Sequence, residues 1–314
     1  MDKVLVIGCN GQLGSELAQA LSERYGLANV VGADIHDPEG PFQITFERID
    51  ATDIHQLEKC IKKHDIKVVF HLAAVLSAKA ELEPVRSWDI NMKSLVNVLE
   101  LGRLRKVNKI FWPGSIAMFG PNTPKNSVQQ VTITDPNTSY GISKLAGELW
   151  CGYYIQHFNV DVRSVRYPGI ISYKTKPGGG TTDYAIEIFR AALEKGRYTC
   201  YLEGDTRLPM MYIDDAVRAA VEIMEAPLQN LTVRTGYNVA GVSFGPAELA
   251  LEIEKHVPGF TVDYQADYRQ EIARSWPSSI NDEQAACDWG WEHKFNLEKI
   301  TEIMLKSIRE ETNE

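Results

Sequence analysis

The chain has 314 residues, of which 44% are hydrophobic and 24% are charged, and its formal net charge is -9 at pH 7. These values are typical of a globular protein with one large domain or two unequal lobes. An acidic chain repels a phosphate backbone, and no basic stretch offsets that charge. We therefore expect no nucleic-acid partner.

Cysteine and histidine usage gives no sign of disulfides or of a metal. The five cysteines are scattered without a CxxC pair, and the seven histidines include no HExxH spacing, so we expect reduced thiols and no metal site. An apolar strand follows Met1-Asp2-Lys3 directly, and no apolar run is long enough for a membrane span. The protein is therefore expected to be cytoplasmic and not to bind membranes.

Short β-branched runs alternate with longer amphipathic segments over the first 170 residues. Continuous apolar character is typical of buried parallel strands, and β-α-β alternation predicts a doubly wound parallel sheet of the α/β class, the Rossmann type. The predicted strands are 4–7, 30–32, 68–72, 110–112 and 160–165, and the predicted helices are 11–25, 54–64, 84–104 and 139–158.

The alternation ends after Arg166. A loop rich in glycine at 176–183 precedes a predicted helix at 184–194. A helix at 214–224 and a strand at 236–239 indicate a return to the sheet, and further helices are predicted at 246–256 and 297–309. We predict an NAD-binding Rossmann domain at 1–170, to which 208–241 return, and a substrate-binding lobe formed by 171–207 and 242–314.

Three glycines with a spacing of three follow the first strand and begin the first helix. Gly8, Gly11 and Gly14, with Gln12 and Leu13 between them, allow a tight turn, a close approach of the backbone to a pyrophosphate and close packing of helix on strand. The helix N-terminus then offers free N–H groups to the phosphates. The loop therefore predicts dinucleotide binding.

Asp34 stands twenty residues after Gly14, at the end of the second strand. A carboxylate at this position accepts hydrogen bonds from the adenosine ribose, and it would repel a 2'-phosphate. Since no arginine follows it, the sequence favours NAD over NADP.

The order of these motifs resembles that of the extended short-chain dehydrogenases/reductases over nearly the whole chain. The resemblance implies that Asp50 and Ala51 meet the adenine, that Leu72, Ala73 and Ala74 contact the dinucleotide, and that Tyr167 lies on the nicotinamide side. The matching positions are the glycine loop, Asp50-Ala51 after the third strand, His71 to Ala74 closing the fourth, Asn91 on the next helix, Ser115 ending the fifth strand, and Tyr140-xxx-Lys144.

Tyr140 and Lys144 lie four apart on a predicted helix and therefore on one face. A phenol with a pKa near 10 needs a shift of about 3 units to act as a base near neutrality, and a neighbouring ammonium favours the anion. Ser115 would hold the substrate hydroxyl while it loses its proton. These three residues are the predicted catalytic group.

Nucleotide-sugar epimerases and dehydratases share this layout, and they are the alternative function. Their strand after the catalytic helix typically reads Arg-Tyr-Phe-Asn, with the asparagine on the sugar nucleotide, whereas this chain reads Arg166-Tyr-Pro-Gly169. A protein that only senses the cofactor is a third possibility, although it has no need of Tyr140, Lys144 and Ser115.

Four other segments resemble the short-chain L-threonine 3-dehydrogenases, a family within this group. The resemblance implies oxidation of L-threonine by NAD to 2-amino-3-oxobutanoate without a metal, in a homodimer that pairs the helices at 84–104 and 139–158. The segments are Pro113 to Gly120, Tyr167 to Tyr173, Pro177 to Ala185, and Ser275 to Ile280 followed by Asp288-Trp-Gly290.

The glycine-rich loop suits a small zwitterionic substrate. Successive glycine N–H groups, Gly180 included, can bind a carboxylate, Thr181 and Thr182 offer hydroxyls, and Asp183 balances an ammonium. Ser77 would join Ser115 and Tyr140 around the substrate hydroxyl. Trp276 either forms a wall of the pocket or packs inside the smaller lobe.

Overall fold

A computed structural model describes residues 2–38, 43–174 and 178–313, and it confirms the predicted doubly wound parallel α/β fold. Seven parallel strands form the central sheet in the order β3-β2-β1-β4-β5-β7-β11, and the two-residue β6 pairs with β7. The strands are β1 (Lys3–Ile7), β2 (Val30–Asp34), β3 (Thr45–Arg48), β4 (Ile66–His71), β5 (Lys109–Phe111), β6 (Gly114–Ser115), β7 (Asp161–Tyr167), β8 (Gly169–Ile171), β9 (Arg197–Cys200), β10 (Leu208–Tyr212), β11 (Gly236–Asn238), β12 (Val242–Phe244) and β13 (Thr261–Tyr264).

Helices cover both faces of the central sheet. Val4 and Val6 of β1 pack in one apolar cluster and Leu5 and Ile7 in another, because successive side chains of a strand point to opposite faces. The first cluster includes α1, α6 and α7, and the second includes α2, α4 and α5. The helices are α1 (Gln12–Tyr25), α2 (Ile54–His64), α3 (Ser77–Leu82), α4 (Pro84–Arg103), α5 (Ser139–Phe158), α6 (Tyr184–Lys195), α7 (Ile213–Glu225), α8 (Pro246–Glu254), α9 (Tyr268–Ser275), α10 (Glu283–Trp289) and α11 (Leu297–Asn313).

Two helices, α2 and α5, have the bounds that the sequence predicts. Asp53 and Thr138 cap their N-termini by accepting backbone N–H groups, and Asp65 and Asn159 end them in the left-handed conformation. Such local signals mark helix ends in the sequence itself.

Several short elements were not predicted, namely α3, α9, α10 and the seven strands β3, β6, β8, β9, β10, β12 and β13. β8, β10 and β12 form a three-stranded sheet and β9 pairs with β13, whereas β11 joins the central sheet beside β7. These strands are three to five residues long, too short for a periodic signal. The division into two lobes stays a prediction, and positions 176 and 177 of the predicted loop lie outside the described residues.

None of the helices in the described part of the chain is long and apolar enough to cross a membrane. Within the same ranges, no group of three or more His, Cys, Asp or Glu side chains is arranged to hold a metal ion.

Candidate active site

A cleft of about 230 Å³ opens at the carboxyl ends of β1, β4, β6 and β7, the edge at which doubly wound sheets bind ligands. Most of the predicted site residues line it, whereas Asp34, Asp50, Ala51, Ala73, Asn91 and Thr181 lie outside its lining. The predicted residues in the lining are Gly8, Gly11, Gln12, Leu13, Gly14, Leu72, Ala74, Ser77, Ser115, Tyr140, Lys144, Tyr167, Gly180, Thr182, Asp183 and Trp276.

The glycine loop forms a cradle that side chains would fill. Gly8 has φ +86°, and a β-carbon there would lie 2.7 Å from the Ala73 nitrogen. A β-carbon on Gly14 would lie 2.0 Å from the Gly8 oxygen, so only glycine lets α1 begin this close to the turn. The N-terminus of α1 therefore faces the cleft with free N–H groups, an arrangement that fits the pyrophosphate of a dinucleotide.

Asp34 ends β2 next to the glycine loop. Its carboxylate accepts the Asn10 N–H at 3.1 Å and the Ile35 N–H at 2.8 Å, which fixes its orientation. Asp50 is already engaged, because it accepts both the N–H and the hydroxyl of Thr52 at 2.9 and 2.7 Å. An adenine contact of Asp50 therefore stays a prediction.

Ser115 corrects one expectation, since it ends the short strand β6 and not the fifth strand, which stops at Phe111. Pro113 stands between the two, and proline has no N–H to continue the ladder. The Ser115 hydroxyl oxygen accepts the Ala117 N–H at 3.1 Å and caps a short 3₁₀ helix. Burial raises the pKa of Tyr140, and an interaction with the Ser115 hydroxyl offsets a smaller part of that rise.

Glycine at position 141 lets α5 pack closely against the short 3₁₀ helix that follows β6. A β-carbon there would lie 2.2 Å from the Ala117 oxygen, and the Gly141 N–H donates to the capping Thr138 hydroxyl at 3.1 Å. This approach places Tyr140 beside Ser115 and Lys144 one turn below, which explains the sequence Tyr140-Gly-Ile-Ser-Lys144.

Burial shifts the pKa values of Tyr140 and Lys144 in the directions that disfavour the phenolate and the ammonium needed for base catalysis. It raises the pKa of Tyr140 to about 12 and lowers the pKa of Lys144 to about 7, because desolvation disfavours whichever form is charged. The Lys144 ammonium donates to the Pro113 oxygen at 2.6 Å and lies 5.5 Å from the centre of the Tyr140 ring. A further positive charge near the phenol is needed to favour the phenolate, and an oxidised nicotinamide carries one.

Asn91 and Tyr167 support the cleft from behind. The Asn91 amide accepts the Val75 N–H at 2.8 Å and donates to the Val75 oxygen at 3.2 Å, which fixes the loop after β4. The Tyr167 hydroxyl points into the core and donates to the Ala216 oxygen at 2.6 Å. Any nicotinamide contact of Tyr167 would therefore use its ring or backbone.

The glycine N–H groups predicted to bind the substrate carboxylate are engaged by Asp183. Its carboxylate accepts the N–H groups of Gly179 at 2.9 Å and Gly180 at 2.8 Å, while burial raises its pKa. Asp183 therefore holds the loop in shape. A substrate carboxylate would have to compete with the Asp183 carboxylate for the same glycine N–H groups.

Ser77 and Thr181 are brought together from 104 positions apart. Their hydroxyl oxygens lie 3.2 Å from each other, and the Thr181 N–H donates to the Ser77 hydroxyl oxygen at 3.2 Å. Both side chains are buried. Ser77 and the neighbouring Thr182 line the cleft, while Thr181 supports them.

Trp276 combines the two roles that the sequence left open. It is 6% exposed and belongs to the apolar core, and it also lines the cleft. Its indole N–H has no hydrogen-bond partner among the described residues.

Sequence reasoning gave no site role to seven lining residues: Leu76, Pro113, Gly114, Ile116, Pro168, Gly169 and Ile170. All follow strand ends at the carboxyl edge of the sheet, a signal that could have identified them. Gln12 links this region to the glycine loop, because its amide donates to the Ile170 oxygen at 3.2 Å and to the Ser172 hydroxyl at 2.9 Å.

Known proteins similar to this chain indicate its family. The sequence pattern of the NAD dependent epimerase/dehydratase family matches residues 4–240. The chain belongs to this family. An uncharacterised epimerase/dehydratase of Staphylococcus haemolyticus is 44% identical over 99% of the chain and 98% of its own length.

Two solved structures resemble this family member along its whole length. A GalE-like L-threonine dehydrogenase from Cupriavidus necator in its holo form is 51% identical, with a TM-score of 0.96 over 98% of this chain and 99% of that one. A monomeric L-threonine 3-dehydrogenase from a metagenome is 46% identical, with a TM-score of 0.95 over 99% and 100%. This epimerase/dehydratase family member is therefore a dehydrogenase-type enzyme that uses a nicotinamide cofactor.

Proposed function

We propose that the protein is an NAD-dependent L-threonine 3-dehydrogenase, which converts L-threonine to 2-amino-3-oxobutanoate. The whole-chain similarity to two L-threonine dehydrogenases supports this substrate. Asp34 at the end of β2, with no arginine after it, supports NAD over NADP.

The observation that carries the proposal is the packing around Gly169. This glycine stands where the resemblance to nucleotide-sugar enzymes would require an asparagine side chain. A β-carbon there would lie 2.5 Å from the Met210 sulfur and 2.8 Å from the Thr182 methyl group. Met210 and Thr182 thus occupy the space into which that asparagine side chain would extend, which favours the small alcohol substrate over a sugar nucleotide.

Three side chains carry the proton chemistry. Tyr140 as phenolate accepts the proton of the substrate hydroxyl, Ser115 orients that hydroxyl by a hydrogen bond, and the Lys144 ammonium stabilises the phenolate. NAD, held by the Gly8 to Gly14 loop and Asp34, would supply the acceptor for the hydride that leaves the β-carbon.

The amino-acid end of the substrate would contact the loop before α6. Ser77 and Thr182 line the cleft beside the catalytic group, and both offer hydroxyls to the amino acid. Asp183 attracts the ammonium group, provided that its carboxylate remains ionised while it accepts the glycine N–H groups. Trp276 closes the apolar side against the threonine methyl group.

A homodimer is part of the proposal. Large apolar side chains project from α4 and α5, namely Val85, Ile142, Leu149, Trp150 and Tyr153, each 42–74% exposed. Such a patch marks an interaction surface, whereas the metagenome relative is described as monomeric. Sedimentation velocity of the purified protein decides, and a single monomer peak at micromolar concentration rejects the dimer.

The decisive experiment measures NADH released from NAD and L-threonine. The wild-type protein should release free NADH with threonine and leave UDP-hexoses unchanged, while Tyr140→Phe should abolish release and retain NAD binding. Tyr264→Phe, a matched change of an exposed tyrosine, should match the wild type. Epimerised UDP-hexose with no free NADH from threonine would overturn the proposal.

A further inference from the structure

Trp112 lies directly beneath the Lys144 ammonium. The ammonium nitrogen is 4.5 Å from the centre of the Trp112 ring, within the range of a strong cation–π interaction, and tryptophan is the best aromatic partner for such a contact. The ring is 5% exposed, so the contact is shielded from water.

Gly147 lets α5 pack closely against the Trp112 ring. A β-carbon on Gly147 would lie 2.6 Å from each of the Trp112 atoms Cη2 and Cζ2. Gly147 follows Lys144 by three positions and therefore shares its helix face. The indole thus packs tightly against the face of α5 that also carries Lys144.

The ammonium has little else to stabilise it. Lys144 is 4% exposed and forms no ion pair with a carboxylate among the residues that the structure describes. Among the described residues, it hydrogen-bonds only the Pro113 oxygen. A buried ammonium without a counter-ion tends to lose its proton. The face of the Trp112 ring is therefore the main group that offsets the desolvation of the Lys144 ammonium.

The titratable groups around Lys144 do not replace that compensation. Burial lowers the pKa of His71 on β4 to about 3 and raises the pKa of Cys151 on α5, so both are neutral near pH 7. Glu148 on α5 is paired with Arg166 in a buried ion pair. Among the described residues this leaves Tyr140, whose ring centre lies 5.5 Å from the ammonium nitrogen, as the titratable partner of Lys144.

We propose that Trp112 is a positioning residue that keeps the shared proton of the Tyr140–Lys144 pair on the lysine. When the pair holds one proton, two arrangements compete: phenolate with ammonium, which is the active base, and phenol with neutral amine, which is inactive. The Trp112 face favours the first arrangement because it attracts the ammonium and not the neutral amine. The role rests on Tyr140 acting as base in the proposed reaction.

This role gives a pH profile that a purely structural role does not. Removing the Trp112 ring destabilises the Lys144 ammonium by the same amount in the doubly protonated pair and in the active form. The acid dissociation constant of Tyr140 next to a protonated Lys144 is therefore unchanged. Only the loss of the lysine proton becomes easier. In a plot of kcat/KM against pH, a variant without the Trp112 ring should therefore match the wild type at low pH. Its plateau should be lower, and the midpoint of the rise should lie at lower pH by the same factor.

The test uses Trp112→Leu and Trp112→Phe at saturating NAD. We expect the leucine variant to lose roughly fivefold to thirtyfold of the kcat/KM plateau, in line with a desolvated cation–π contact, and the phenylalanine variant to fall between it and the wild type. Trp291→Leu is the matched control, because Trp291 is 2% exposed beneath Arg218 at 4.8 Å and lies outside the cleft. Its midpoint should not move.

A second measurement is independent of turnover. In cofactor-free protein with isotope-labelled lysine, NMR titration follows Lys144, whose signal is assigned by its loss in Lys144→Met. The Lys144 midpoint should fall in Trp112→Leu by the same roughly fivefold to thirtyfold in proton concentration, and it should stay in Trp291→Leu.

Two results would overturn the role of Trp112: a uniform fall of kcat/KM at every pH with an unshifted lysine titration, or no change in either. If the wild type releases no NADH from threonine, the proposed substrate is wrong, and the lysine titration still decides the role of Trp112.

Discussion

Replacing Lys144 by methionine should abolish turnover and make the protein more stable. Lys144 is 4% exposed, and within the described ranges its ammonium hydrogen-bonds only the Pro113 oxygen. Methionine has a similar shape and no charge to desolvate. A functional residue that strains the fold in this way is expected where activity requires a buried charge.

The magnitude follows from the lysine pKa, which burial lowers from 10.5 to about 7. Since one pKa unit corresponds to about 1.4 kcal/mol, burying the ammonium costs up to about 5 kcal/mol. Methionine leaves the Pro113 oxygen without its donor, which offsets about 1 to 3 kcal/mol, and it loses the cation–π contact with Trp112, which offsets about 1 to 2 kcal/mol more. The free energy of unfolding should therefore rise by up to about 3 kcal/mol below pH 7.

The gain should depend on pH with a defined sign. Below about pH 7 the native and the unfolded lysine both hold the proton, so the wild type bears the whole cost. As the pH rises towards 10.5, the native lysine is neutral while the unfolded one is still protonated, and the cost disappears. The advantage of Lys144→Met should shrink over the same interval.

Urea unfolding at several pH values between 6 and 10 measures this difference (about 1.4 kcal/mol per pH unit at its steepest). Lys59→Met, at an exposed position of α2, is the control and should change little. A Lys144→Met protein that is less stable than the wild type at pH 6, or whose gain does not vary with pH, would refute the reasoning.

Three further variants test the cofactor and substrate contacts. Gly14→Ala places a β-carbon 2.0 Å from the Gly8 oxygen, so α1 must shift at a cost of about 1 to 3 kcal/mol; calorimetric NAD affinity should fall at least roughly tenfold, and unchanged affinity contradicts the cradle. Asp34→Ala removes the carboxylate that repels a 2'-phosphate, so the ratio of kcat/KM for NADP to that for NAD should rise roughly tenfold or more, and a constant ratio contradicts the role of Asp34. Asp183→Asn keeps an acceptor for the Gly180 N–H but loses the charge, so the KM for threonine should rise roughly tenfold with NAD affinity unchanged, and an unchanged KM rejects the ammonium role.

The sequence identified those parts of the site that are encoded by close spacing. Gly8, Gly14 and Asp34 lie within one β-α-β unit, and Tyr140 and Lys144 lie on one turn of one helix. Residues at such separations are placed by the local geometry of strand and helix alone. The predicted fold is confirmed for the same reason, since the strands of the first half show continuous apolar runs, and two of its helices, α2 and α5, have side-chain caps.

Contacts between distant segments were decided by the tertiary structure. Gly169 meets Met210 and Thr182 through the unpredicted sheet of β8, β10 and β12, and Asp183 turns back onto the glycine N–H groups that the sequence left open for a substrate. Short strands have too few residues for a periodic pattern. The spacing of residues in the sequence also does not show whether a given N–H group binds the Asp183 carboxylate or that of a substrate.

By itself the sequence determined a doubly wound sheet, a glycine loop and an acid/base pair, because strand and helix periodicity fixes neighbours within about twenty residues. The packing of the chain decided what surrounds that pair. Trp112 beneath Lys144, Ser77 against Thr181 and the filled space at Gly169 depend on how separate elements meet, and the desolvation that sets both pKa values exists only once they have met.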